Sequence, residues 1–321
     1  MKIYKGLLLG IICIFTYQFS FAQNYPDRAI RIVVPFSGGS VDVMARLMAN
    51  KMAESLKQAV IVENRPGAGG NIGAEIVAKS NPDGYTILLD TMGLAIRPAL
   101  HKKMPFDVNK DFIPVTQLVS VPLILVASNS APISNVQSLL KYAKEKPGVI
   151  NYGHAGIGGT LQLAVELFAN MGNVKFTGVP YKGDAQITTA LLSKEIDIAI
   201  LPVSTVIQYI NTGNLKVIGI TSSKRLASLP EIPTISESGL SDYESSSWYS
   251  LFVPAKTPDY IVKIIHQEAI RALNTPDTKD KIYAMHQELI GSSQAGFEKK
   301  FKSDIEKVSK LIKESGIPIQ E

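Results

Sequence analysis

The chain has 321 residues, 45% of them hydrophobic and 19% charged, with 33 Lys+Arg against 28 Asp+Glu for a formal net charge of +5. This is the composition of a folded globular protein and not of a disordered one, and the length leaves room for two domains of roughly 100–200 residues each. The single cysteine, Cys13, excludes a disulfide framework and a cysteine-based zinc site.

The chain opens with Lys2 and Lys5, an apolar run over residues 7–15 (LLLGIICIF) and the small-x-small triplet Ser20-Phe21-Ala22. A positive start, a short apolar core and a small-residue cleavage site form the secretory signal pattern, so residues 1–22 are expected to be a cleaved signal peptide. The run is too short for a membrane span, which takes about 20 residues. Cys13 follows Ile12 rather than a small residue, which argues against a lipoprotein attachment box. Cleavage after Ala22 leaves 299 residues, no cysteine and, with Lys2 and Lys5 gone, 31 Lys+Arg against 28 Asp+Glu. Export removes whole classes of function, since ATP, NAD and chromosomal DNA are essentially absent outside the cytoplasm. The remaining positive charge contains no basic run, so no nucleic-acid partner is expected.

Residues 29–36 (AIRIVVPF) read as a buried strand. Residues 42–56 read as a helix, because Met44, Leu47, Met48, Met52 and Leu56 recur at three- and four-residue spacing. Further short β-rich runs cover 59–62, 85–90, 123–128, 150–153, 196–201 and 215–221. Helical patterns over 70–79, 135–146, 159–171, 185–193 and 204–212 separate many of them. One more strand is expected over 248–254 (WYSLFVP), followed by helices only, over 258–273, 275–286 and 295–314. Alternation of strand and helix predicts an α/β fold with parallel sheets flanked by helices. Without a fixed-period repeat or a long linker, two lobes joined by strands are expected.

Two loops follow a strand and open a helix. The first runs Pro35-Phe36-Ser37-Gly38-Gly39-Ser40-Val41-Asp42, the second Gly153-His154-Ala155-Gly156-Ile157-Gly158-Gly159-Thr160. Glycine lets backbone N–H groups turn toward a ligand, and a helix start carries unpaired N–H groups and about half a positive charge. Each loop is therefore a candidate anion cradle at the carboxyl end of a strand, where ligands of open α/β sheets bind. Ordinary turns, with Asp42 and Thr160 near N-cap positions, are the plainer alternative. A third glycine cluster, over residues 67–73 (GAGGNIG), has the spacing G-x-G-x-x-x-G and stands apart from the preceding strand. It is read as a turn packing a helix closely, not as a nucleotide fingerprint.

No G-x-S-x-G elbow, phosphate-binding G-x-x-x-x-G-K-[ST] or H-E-x-x-H motif occurs, and His101, His154, His266 and His286 are never four apart. No catalytic residue, metal or cofactor is expected. His154 is read as either a partner of a carboxylate or a solvated loop residue. Asp42 is read as a base or an N-cap, and Asp184 as a helix cap. Trp248, the sole tryptophan, is read as a cleft-lining aromatic or as core. Phe36, Trp248 and Tyr249 are candidates for apolar lining.

These segments together resemble the Bug family, the TctC-like extracytoplasmic receptors of tripartite tricarboxylate transporters. The carriers are residues 25–36 (YPDRAIRIVVPF), 62–73 (VENRPGAGGNIG), 82–86 (PDGYT), 179–183 (VPYKG), 229–234 (LPEIPT) and 254–258 (PAKTP). The resemblance implies a two-lobed, type II-like periplasmic binding protein, each lobe a mostly parallel sheet flanked by helices, with the ligand cleft between lobes. Lobe 1 would be 23–124 plus 251–321 and lobe 2 would be 125–250. It implies a periplasmic receptor, not an enzyme, that closes by a hinge on a small organic acid and hands it to a membrane permease. A sensor protein as the partner is the alternative, and a secreted hydrolase a remoter one; a monomer is expected. Carried onto this chain, the ligand-holding loops are 37–42 and 153–160. With the residues read directly from the sequence, the expected ligand-binding set is Phe36, Ser37, Gly38, Gly39, Ser40, Val41, Asp42, His154, Ala155, Gly156, Gly158, Gly159, Thr160, Asp184 and Trp248. Several positions depart from the family pattern. The first loop is one residue short, and Val41 stands where a hydroxyl is common. Leu201-Pro202 replace a polar pair, and Arg97 replaces Asn. Arg97 would then either pair with a second ligand carboxylate or be solvated. Together these substitutions point to a carboxylate ligand without an amine.

Overall fold

The computed structural model describes residues 25–315 and 319; the expected signal peptide lies outside them. Two sheets carry the fold. The first contains β1 (Ile30–Val34), β2 (Val60–Asn64), β3 (Thr86–Thr91), β4 (Phe112–Val121), β10 (Ser247–Pro254) and β11 (Glu288–Leu289), in the order β11-β4-β10-β3-β1-β2. The second contains β5 (Leu123–Ser128), β6 (Asn151–His154), β7 (Thr177–Pro180), β8 (Ile198–Pro202) and β9 (Leu215–Ile220), in the order β7-β6-β8-β5-β9. The two-lobed α/β class is as expected, but the sheets are mixed rather than mostly parallel. β2–β1–β3 and β7–β6–β8 are parallel, as strand–helix–strand connections require. β10 runs antiparallel to β3 and β4, and β5 antiparallel to β8 and β9. These two are the strands by which the chain passes into each sheet from the other, β5 directly after β4 and β10 after the segment 221–246.

That exchange is narrow. Only Pro122 separates β4 from β5, and it has no N–H to extend a ladder. The return segment lies against it: the Thr221 amide donates to Leu123 O (3.1 Å), and the Ser245 amide to Thr221 O (2.9 Å). The Thr221 hydroxyl donates to Ser245 O at 2.7 Å. The expected lobe limits, 124/125 and 250/251, fall inside β5 and β10, each of which belongs whole to one sheet.

The helices are α1 (Gly39–Leu56), α2 (Asn71–Ala78), α3 (Gly93–Leu100), α4 (Val136–Glu145), α5 (Thr160–Gly172), α6 (Asp184–Leu192), α7 (Val203–Asn211), α8 (Asp259–Leu273), α9 (Pro276–Ala284) and α10 (Gln294–Ser315). α1 buries Met44, Met48 and Met52, as its periodicity predicts, beside Ile261, Val262 and Ile265 of α8. The opposite face of the first sheet is closed by an aromatic cluster, Trp248 and Phe252 of β10 against Phe297 and Phe301 of α10. Emptying such a site, as in Phe252→Ala, costs about 3–5 kcal/mol.

Four elements escape the periodicity reading. β7 has only four residues (TGVP) and ends in a proline. β4 carries Pro114 and the polar residues Thr116, Gln117 and Ser120, so no apolar run marks it. α3 contains Pro98, a residue that ordinarily argues against a helix interior. β11 breaks the expected all-helical C-terminal part: Glu288 and Leu289 pair with Ser120 and Val119 at the edge of β4. Among the described residues no helix is long and apolar enough to cross a membrane.

Candidate functional site

A cavity of about 40 Å³ lies between the two sheets. Phe36, Val41, Thr91, Ser247 and Tyr249 line it from the first sheet and its helices. Leu123, Ala155, Gly159, Thr160, Leu161, Asp184 and Pro202 line it from the second. None of these is Lys, Arg or His, so any negative charge that enters must be met by N–H dipoles, hydroxyls or a proton.

The second loop supplies such dipoles. α5 begins at Thr160 with no side-chain cap, and the first N–H groups of a helix have no partner within it. The Thr160 side chain is buried, and its Oγ1 finds no hydrogen-bond partner. A buried hydroxyl left unpaired costs about 1–3 kcal/mol, which a ligand atom at that point would recover. Upstream, the loop amides are spent. Gly158 N donates to Gln162 Oε1 (2.9 Å) and Gly156 N to His154 Nδ1 (3.2 Å).

The first loop is arranged differently. α1 starts at Gly39, three residues before the expected start, with Gly38 as its N-cap. Its amide charge is met by the protein itself. Asp184 Oδ2 accepts from Ser40 N (3.1 Å), Ser40 Oγ (2.9 Å) and Thr205 Oγ1 (3.1 Å). The Tyr249 hydroxyl closes the chain with a short hydrogen bond to Ser40 Oγ. Gly39 is required here. Its φ is +78°, and a Cβ would sit 1.5 Å from Asp184 Oδ1. That oxygen is buried and has no partner. Burial pushes the Asp184 carboxyl up, opposed by the hydrogen bonds from Ser40 and Thr205. Burial, and then the charge of Asp184, push the Tyr249 phenol up as well. Beside this contact the Ser37 amide donates to Lys182 O at 3.0 Å.

Asp184 is therefore not the cap of its own helix. Gly183 is the N-cap of α6, and the Asp184 carboxylate caps α1 across the cleft. The two opposed anion cradles expected from the sequence reduce to one open helix start, at α5, and one filled by a side chain of the protein.

Other expected site residues lie elsewhere. Asp42 is not the N-cap of α1: it lies in the first turn, where its carboxylate pairs with Arg46 (2.8 Å) and accepts from Asn64 Nδ2 (2.8 Å). His154 is buried, not solvated, with its ring beside Tyr152, and burial pushes its pKa down. Trp248 is core: its Nε1 donates to Asp304 (2.9 Å) within the aromatic cluster. Side chains alternate along a strand, so with Trp248 on the α10 face its neighbour Tyr249 faces the cavity. Arg97 is neither solvated nor free for a ligand. It is fully buried, bonded through both Nη atoms to Asp90 (2.7 and 2.9 Å), and its Nε donates to Gly69 O (3.0 Å).

That last bond explains the third glycine cluster. Gly69 (φ +62°) meets the second loop backbone to backbone: a Cβ there would lie 1.8 Å from Ile157 O. The cluster is a contact between the two halves of the molecule, beyond the close helix packing read from the sequence. Of the lining residues, Thr91, Leu123, Leu161 and Ser247 had no sequence signal, being small or aliphatic residues at element ends. Pro202 was singled out only as a substitution.

A cleft between two α/β lobes, walled by the ends of strands and the starts of helices, defines the class of periplasmic binding proteins. Within it, this chain belongs to the family described as "Tripartite tricarboxylate transporter family receptor", whose sequence profile matches residues 44–317. It is 35% identical over 315 residues (97% of this chain and 94% of the relative) to the "UPF0065 protein in tcbD-tcbE intergenic region" of Pseudomonas sp. strain P51. Among solved structures it is similar to the periplasmic binding protein BugD, at 31% identity and TM-score 0.88, over 92% of this chain and 100% of that one. It is also similar to R. palustris Rpa4515 with adipate, at 32% identity and TM-score 0.87, over 92% of this chain and 99% of that one.

Proposed function

We propose that the protein is a periplasmic receptor that captures a small carboxylate between its lobes and delivers it to the permease of a tripartite transporter. The lobes are taken as the two sheets with their helices, hinged where Pro122 meets the return segment at Thr221 and Ser245. Ligand binding favours the state in which the sheets meet across the cleft, as Asp184 and Ser40 do here. The observation that carries the reading is the uncapped start of α5 with the unpaired Thr160 hydroxyl at the wall of a cation-free cavity. Charge-assisted hydrogen bonds from that helix start are roughly twice as strong as neutral ones. Membership of the receptor family and the adipate complex of a relative support a carboxylate as the ligand.

The test is a thermal-shift screen of mono-, di- and tricarboxylates and aromatic acids with the purified protein. A true ligand at 100 times its Kd adds about 2.7 kcal/mol of stability and raises Tm. Indifference to every acid, together with none released on denaturation and detected by mass spectrometry, contradicts the reading.

A further inference from the structure

We propose that Asp184 fixes the ligand as a monocarboxylate, because its side chain fills the place in the cleft where a second carboxylate would be held. The inference rests on the receptor reading and refines it. Two helix starts face this cleft, α1 and α5, and each is a site for one anion. At α1 the occupant is already present: Asp184 Oδ2 takes the Ser40 amide, the Ser40 hydroxyl and the Thr205 hydroxyl. The space for it exists because residue 39 is glycine. At α5 the Thr160 hydroxyl is buried, lines the cavity and has no partner. One carboxylate therefore has a receiving end.

Charge separates one carboxylate from two. The groups facing Asp184 are Ser40 of α1, Thr205 of α7 and, through Ser40, Tyr249 of β10, none of them a cation. Arg97, the cation expected from the sequence to reach a second ligand carboxylate, is locked to Asp90. A diacid would bring two negative charges into a cavity lined by no cation, against a third carboxyl. One charge at α5 meets only dipoles of the right sign. The rest of the wall, Phe36, Val41, Leu123 and Leu161 among it, suits an apolar body.

The experiment is isothermal titration of the full mature protein with matched acids, butanoate against succinate, hexanoate against adipate and benzoate against phthalate. The readout is the ratio of monoacid to diacid affinity in wild type, Asp184→Ala and Asp184→Asn, each checked for an unchanged fold by circular dichroism. The wild type is expected to prefer the monoacid at least tenfold in the pairs that bind. Asp184→Ala, which frees the Ser40 amide, is expected to lose that preference or reverse it. Asp184→Asn, which keeps the shape and loses the charge, is expected to fall between; if the Ala variant does not fold, the Asn variant decides alone. A wild type that binds a diacid as tightly as its monoacid, or a ratio unmoved by the substitutions, overturns the role of Asp184 and leaves the receptor reading standing. No binding by any acid to any of the three proteins overturns both.

Discussion

The starts of α1 and α5 are built from similar sequence, a strand running into a glycine-rich loop and then a helix, yet they stand in opposite states. At α1 a buried carboxylate from across the cleft satisfies the helix amides. At α5 no side chain caps the helix start, and the buried Thr160 hydroxyl lines the cavity without a protein partner. An anion-binding loop can thus serve two ends. Filled by the protein's own side chain it joins the lobes, and left open it receives a ligand.

The contrast can be broken most forcefully at the Gly69 turn that meets the α5 loop. Arg97→Met would leave Asp90 charged and buried without its partner, costing about 3–5 kcal/mol, read as a lower urea midpoint. A loss below about 1 kcal/mol would mean that the pair does not hold this turn. Ser40→Ala and Thr160→Val separate the two helix starts. Ser40→Ala removes the hydroxyl bond to Asp184 and should lower stability by about 1–3 kcal/mol. Thr160→Val removes an oxygen that no protein group uses. It should leave Tm unchanged or raise it, as the cost of the unpaired hydroxyl is removed, while weakening carboxylate binding by about 1–2 kcal/mol, roughly 5–30-fold by titration calorimetry. The opposite pattern would exchange the roles assigned to the two helices.

The acid dependence of stability sharpens the same contrast. The Asp184 carboxyl is held above its ordinary range by burial, so the folded state binds its proton more tightly than the unfolded state does. Its contribution is fully present below about pH 3.9, the unfolded value, and is lost as pH rises through the raised folded value. Urea midpoints of wild type relative to Asp184→Asn should therefore fall as pH rises above about 3.9 and level off above the raised folded value. A difference that grows with pH would show that the hydrogen bonds on Asp184 outweigh its desolvation. The smallest effect is expected from Trp248, which sits in the aromatic cluster and not in the cleft. Its emission maximum should stay nearly constant on ligand binding, and a large shift would mean that closure reaches the α10 face.

Much of this was legible in the chain. The periodicity of Met44, Met48 and Met52 marks α1, the apolar run of β5 marks a central strand, and both glycine loops lie beside the cleft. What local pattern lacks is the long-range partner. Asp184 reads as a cap of the helix it begins, and only the fold brings it to Ser40, 144 residues earlier. Arg97 reads as a free cation for the same reason, since Asp90 and Gly69 O meet it only after folding. Trp248 and Tyr249 share one strand, and alternation places them on opposite faces without saying which face is the cleft. β4 was hidden because Pro114 and its polar residues break the apolar run, and its pairing with β10 supplies the order that its sequence lacks.

A crystal structure of the mature protein with its bound acid tests the central claim most directly. The carboxylate should lie about 2.7–3.2 Å from the Thr160 hydroxyl and the first amides of α5, with Asp184 still on Ser40. A carboxylate seated on the Ser40 amide, with Asp184 turned away, would contradict the account.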